Sequence, residues 1–182
     1  MKRFLVGVIL LTVFSCGGDN SSNEGESGDV DTIDNIVEYE LDEDRISAVE
    51  FNNELTLMQE DMLNVIGVLF QSDSTNAKTN YDNALFEVQI NQDDLKKLKF
   101  DGSEKAFKAE MKNLLNFYLD ELQGEFKSIL PLLEKGQLTE EENQILIDYD
   151  KRFAHEEKAI FMKVIEEQDK FAESHNIKLV DQ

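Results

Sequence analysis

Phe51, Leu55, Met58, Met62, Val65 and Leu69 follow one another at alternating steps of four and three residues. That spacing returns every apolar side chain to one face of an α-helix but would scatter them over both faces of a strand, so it selects the helix. The first helix is expected over residues 44–71. Ser72-Asp73-Ser74-Thr75-Asn76 then breaks the pattern with residues suited to capping the next helix. A weaker stripe of Tyr81, Leu85, Val88, Leu95 and Leu98 predicts a second helix over 76–99, with Gln92 at a position where an apolar residue is wanted.

Asp101-Gly102-Ser103 reads as a turn in which Ser103 caps a third helix, marked by Phe107, Met111, Leu114, Tyr118, Leu122, Phe126, Ile129 and Leu133. Pro131, the only proline in the chain, should end or kink it just beforehand, because proline lacks an amide donor and crowds the preceding turn. Gly136 suits a stop. Thr139 to Glu142 has the form of a capping box, and Leu146, Tyr149, Phe153, Ile160, Val164 and Phe171 carry a fourth helix to about His175. Four amphipathic helices on short polar turns bury their stripes together most simply as an all-α, up-down-up-down four-helix bundle. That domain is expected over residues 44–176, with 177–182 as a C-terminal tail.

The chain before residue 44 is of a different kind. From Asp19 to Asp44 it has eleven acids and no base, and 17–28 holds no large apolar residue. Such a composition offers too little apolar surface to offset the entropy of ordering, so residues 16–43 are expected to be a flexible, self-repelling spacer. Ahead of it lie a basic start, Lys2-Arg3, and an apolar run from Phe4 to Phe14. The run is too short for a permanent span of roughly twenty residues and has the form of a secretion signal over residues 1–15.

Val13-Phe14-Ser15-Cys16 resembles the bacterial lipobox, although Phe14 is bulkier than the usual residue at its place. The resemblance implies that Cys16 becomes the acylated first residue of the mature protein. Cys16 is also the only cysteine, so it has no partner within the chain for a disulfide. Acyl chains contribute about 0.8 kcal/mol per buried methylene, and two or more make anchoring stable. In lipoproteins of this type an aspartate after the cysteine often retains the protein at the inner membrane. Here the residue is Gly17, which implies the outer membrane. Asp19, Glu24 and Glu26 resemble the surface-export tethers of Bacteroidetes-type lipoproteins, and surface exposure is favoured over a periplasm-facing orientation. Asp31-Thr32-Ile33 is similar to an O-glycosylation acceptor in that group. The Tyr81, Leu114–Tyr118 and Tyr149–Phe153 pattern resembles that of helical bacterial surface lipoproteins. This likeness implies a bundle and an envelope location, without an activity.

With 18 basic and 39 acidic residues the chain carries a formal charge of −21. Loss of Lys2 and Arg3 with the signal would leave 16 bases against 39 acids, or −23. Nucleic-acid backbones and anionic lipid surfaces would be repelled, whereas basic partners would be attracted. The acidic run does not fit a helix-loop calcium site, which needs glycine at its sixth position; counting from Asp19 or Asp29 gives Glu24 or Asp34.

A di-iron bundle needs Glu-x-x-His on two helices. His155 and His175 are preceded three positions earlier by Arg152 and Ala172. Met58, Met62 and Met111 lie on core stripes, where packing accounts for them without haem. The serines show no histidine and acid set suggesting a nucleophilic triad. Catalysis, cofactors and metals are therefore not expected. The expected function is a membrane-anchored, non-enzymatic surface interaction module with a protein partner and no nucleic acid. The alternative is an envelope protein that holds a small ligand or metal within the bundle, with Gln92, Asn116 and Glu167 as candidate contacts.

Overall fold

The computed structural model describes residues 46–100 and 102–179. The signal, Cys16, the tether and the last three residues of the expected tail lie outside them. Five α-helices follow in order: α1 (Ala48–Phe70), α2 (Ala77–Lys97), α3 (Lys105–Glu121), α4 (Lys127–Leu133) and α5 (Glu140–Ser174). A single π-helical turn, Leu122–Phe126, joins α3 to α4, so these two form one bent rod and the described residues make four rods. The longest, α5, has 35 residues and runs about 52 Å.

Contacts between the rods fix their directions. Phe51 at the start of α1 meets Phe171 at the end of α5, and Phe70 at the end of α1 meets Phe153. Ser72 bonds Asn80, and Met62 receives Asn91. Tyr81 stacks on Phe126, while Gln92 bonds Asn116. Phe107 lies against Phe171, and Tyr118 reaches Glu157. All four pairings are antiparallel, as an up-down-up-down bundle requires. Rings gather towards both ends of the bundle, around Phe51, Phe107 and Phe171 at one and Phe70, Phe126 and Phe153 at the other. Leu55, Met62, Val88, Met111, Leu114 and Val164 are fully buried between them.

Several boundaries differ from expectation for local chemical reasons. The first helix begins at Ala48, because Ser47 and Glu50 form a reciprocal capping box. The anticipated box at Thr139 and Glu142 is present. Ser103 does not cap α3: the N-cap is Glu104, which makes no side-chain cap, and its carboxylate accepts the Gly102 amide at 2.6 Å. Gly102 turns there with φ of 102°, a left-handed conformation that favours glycine.

In the second stripe Tyr81, Val88 and Leu95 are buried as expected, with Leu85 and Leu98 packed at the core margin. Ala84 and Asn91 face inward, while Leu85 and Gln92 lie at its half-buried margin. In α1, Ile66 is buried and Val65 only half so. The third rod bends at Gly124 (φ −98°, ψ −105°), upstream of Pro131. Pro131 lies inside α4, where its missing amide would have bonded only to Lys127, the first residue of that segment. The tail is not loose from its first residue. Asn176 adopts φ of 54°, and the Ile177 amide donates to Ala172 O at 2.8 Å. The Asn176 amide donates to Glu173 O, completing a Schellman stop, with Ile177 packed on the core.

Candidate functional site

Most polar groups inside the bundle form separate, paired sets; the exception on α1 is Gln59, 5% exposed, whose buried Nε2 has no hydrogen-bond partner among the described residues. Gln92 Nε2 donates to Asn116 Oδ1 at 2.9 Å. Gln168 Nε2 donates to Asn52 Oδ1 at 3.2 Å and Thr56 Oγ1 at 3.0 Å, tying α5 to α1. Asn91 Nδ2 bonds Glu87 O and approaches Met62 Sδ. Glu167, the third candidate ligand contact, binds Lys170 within α5 at 2.7 Å. It borders a small depression of about 170 Å³ with Ser103, Phe107 and Ser174. Gln92 and Asn116 therefore meet each other, and Glu167 belongs to a different neighbourhood.

The densest polar network joins α3 to α5. Arg152 binds Glu121 through both terminal nitrogens, at 2.7 and 3.0 Å. It also reaches Glu156 and Glu125, each at 3.0 Å. Its guanidinium lies 5.1 Å from the centre of the Tyr149 ring, and the Tyr149 hydroxyl donates to Glu121. Hydrogen bonding to Glu121 strengthens the proton affinity of the Arg152 guanidinium. Burial, with Glu121 beside it, holds the Tyr149 phenol well above its usual range. One cation thus gathers three carboxylates at a helix interface, while burial and Glu121 keep the adjoining phenol neutral against the opposing pull of Arg152.

Farther along α3, the buried Tyr118 hydroxyl donates to Glu157 Oε1 at 2.7 Å. Burial raises the Tyr118 phenol, and Glu157 adds to this. Burial also raises Glu157 above the ordinary 4.5, against the opposing effect of the Tyr118 bond. Folded Glu157 therefore retains its proton to higher pH than in the unfolded chain. Its contribution to stability is full below the unfolded value and declines as pH rises through the folded one. Glu157→Gln keeps an acceptor for Tyr118 without a buried charge. It should match the native chain near pH 4 and exceed it by about 1 kcal/mol at pH 7. Urea unfolding at the two pH values measures this; a variant less stable at pH 7 would show that the ionised bond outweighs the burial cost.

His155 is exposed. His175 caps α5, and its ring rests against Phe171 and Phe100. Nε2 lies 3.1 Å from Ser103 Oγ, while Nδ1 lies 2.9 Å from Phe171 O and 2.8 Å from Ser174 Oγ. In the tautomer with its proton on Nδ1, the ring would donate to Phe171 O and accept from Ser103 Oγ. The fold thus joins a serine and a histidine 72 positions apart, a pairing absent from the sequence reading, and closes the α3 start onto the α5 end. Counted outward from the turn at Gly136, antiparallel register sets Tyr118 level with Ala154, within one turn of Glu157, but sets Ser103 level with Asp169, nearly two turns short of His175. The count is therefore a sequence signal for the first pair and not for the second.

Among the described residues, no three His, Cys, Asp or Glu side chains converge as metal ligands, and no helix is long and apolar enough to cross a membrane. A wider depression of about 390 Å³ is lined by one side of α5 alone, at Glu140, Glu141, Gln144, Ile145 and Asp148. The outer surface of the α1–α2 hairpin is unusual in another way. Leu57, Val68 and Phe86 are 53%, 53% and 60% exposed. Comparisons with protein-family models, characterised proteins and solved structures find no match to this chain.

Proposed function

We propose that this is a lipid-anchored protein of the bacterial outer membrane whose helical domain is a non-enzymatic interaction module for a protein partner. The observation that carries the reading is Cys16: the only cysteine in the chain follows a basic start, an apolar run and the small residue Ser15. The acidic segment after it would hold the bundle away from the bilayer. The paired polar interior supports an outward-facing role, since Gln92, Asn116, Asn52 and Gln168 are engaged with other side chains. The charge of −21 disfavours nucleic acid and favours a basic partner.

The test compares the native chain with Cys16→Ala in a bacterial envelope, using an alkynyl palmitate label and membrane fractionation. The native chain should take up label and sediment with outer membranes. The variant should lose the label and at least nine-tenths of its membrane association, because the buried methylenes supply the anchoring energy. Equal labelling and sedimentation of the two proteins would overturn the anchor.

A further inference from the structure

We infer that the outer face of the α1–α2 hairpin is a docking surface for a basic amphipathic helix. This specifies the partner chemistry of the interaction role proposed above and rests on that reading. Leu57 and Val68 are eleven residues apart, three turns of α1, and project from one side. Phe86 and Ile90 are one turn apart on α2. The Ser72–Asn80 and Met62–Asn91 contacts set the register of the hairpin. They place Val68 level with Phe86, Ile90 one turn farther along, and Leu57 beyond it. The apolar side chains thus form a strip about three turns long, which matches the i, i+3, i+4, i+7 stripe of a docking helix.

The edges of the strip carry the charge argument. Glu54 and Asp61 stand one turn to either side of Leu57, and Glu87 lies one turn from Ile90. None of these three makes an ion pair among the described residues. By contrast, Asp82, Asp93 and Asp94 on α2 are bound by Lys78, Lys96 and Lys97. Helix α1 itself contains no lysine or arginine. A second copy of the chain would set Glu54, Asp61 and Glu87 against like charges, because a twofold interface pairs the same patch with itself. Lysines flanking an apolar stripe would meet both features at once.

The chain contains no tryptophan, so a peptide carrying one reports its own binding by fluorescence. The probe is an 18-residue leucine/lysine amphipathic helix with a single tryptophan on its apolar face. Its controls are a glutamate-for-lysine version and a sequence with the same composition but scrambled leucines. All are titrated into the full chain held in phosphatidylcholine vesicles, with signal from empty vesicles subtracted. The lysine peptide should bind at micromolar Kd, at least tenfold tighter than either control, and weaken with salt. Val68→Ser with Phe86→Ser should weaken it at least tenfold. Met162→Ser, which alters a comparably exposed residue on α5, should leave Kd within twofold.

Equal binding of the scrambled peptide would overturn the proposal, because charge alone would then suffice. Equal binding of the glutamate peptide, or an unchanged Kd in the double variant, would also overturn it. Concentration-dependent dimerisation abolished by Phe86→Ser would assign the face to a second copy instead. Cys16→Ala should retain peptide affinity even though it abolishes anchoring, so failure of the anchor and failure of the docking face are separately visible.

Discussion

Phe51→Ala should destabilise the bundle by about 3–5 kcal/mol, the usual cost of truncating a fully buried phenylalanine. The ring is 0% exposed and sits between three others, with centroids 5.8 Å away at Phe100, 6.2 Å at Phe107 and 5.3 Å at Phe171. These neighbours belong to the segment after α2, to α3 and to α5. Closing the void would require several elements to move together, so much of the cavity should persist. Each kcal/mol shifts the melting temperature of a domain this size by about 4 °C, so a fall of about 12–20 °C is expected. Phe86→Ala provides the contrast: the same atoms removed at 60% exposure should change stability by less than about 0.5 kcal/mol. Helical circular dichroism followed through urea and thermal unfolding measures both. A Phe51→Ala cost below about 1 kcal/mol would mean that the ring cluster rearranges freely.

That contrast also marks where sequence patterning was sufficient. Phe51, Leu55, Met58, Met62 and Leu69 could be assigned inward because helix geometry alone superimposes them, and all five are buried. The capping box at Thr139 could be recognised because its chemistry is contained within four residues. Boundaries failed where a competing local interaction intervened. Ser47 and Glu50 set the start of α1, and Ser103 is engaged by His175 instead of an α3 amide. In the second stripe Tyr81, Val88 and Leu95 could be assigned inward, but Ala84 and Asn91, which complete that face, could not be recognised because neither is strongly apolar. The bend at Gly124 depends on one residue leaving helical ψ, whereas Pro131 gave the more conspicuous but misleading breaker signal. Exposed Phe86 could not be distinguished from a core ring by composition, but the stripe through Tyr81, Val88 and Leu95 already leaves it on the outer side of α2. Cys16 belongs to a different class of inference, because its meaning depends on processing chemistry and not on packing.

Arg152→Met should cost about 2–3 kcal/mol at pH 7, less than the upper range for breaking a fully buried ion pair. The Arg152 side chain is 32% exposed, so water screens part of its interactions. Glu125 and Glu156 are 54% and 45% exposed and can turn towards solvent when the guanidinium is removed. Glu121 is only 14% exposed and would retain just the Tyr149 hydroxyl, so most of the cost falls there. Methionine keeps much of the apolar stem against Tyr149, which separates loss of charge from loss of volume. A double variant fixes the cause. Adding Glu121→Gln to Arg152→Met removes the uncompensated charge while leaving an acceptor for Tyr149, and should recover more than half of the loss. Urea midpoints for the native, single and double variants at pH 7 decide the matter. A loss unrelieved by Glu121→Gln would place the role of Arg152 in packing on Tyr149, not in balancing the carboxylates between α3 and α5.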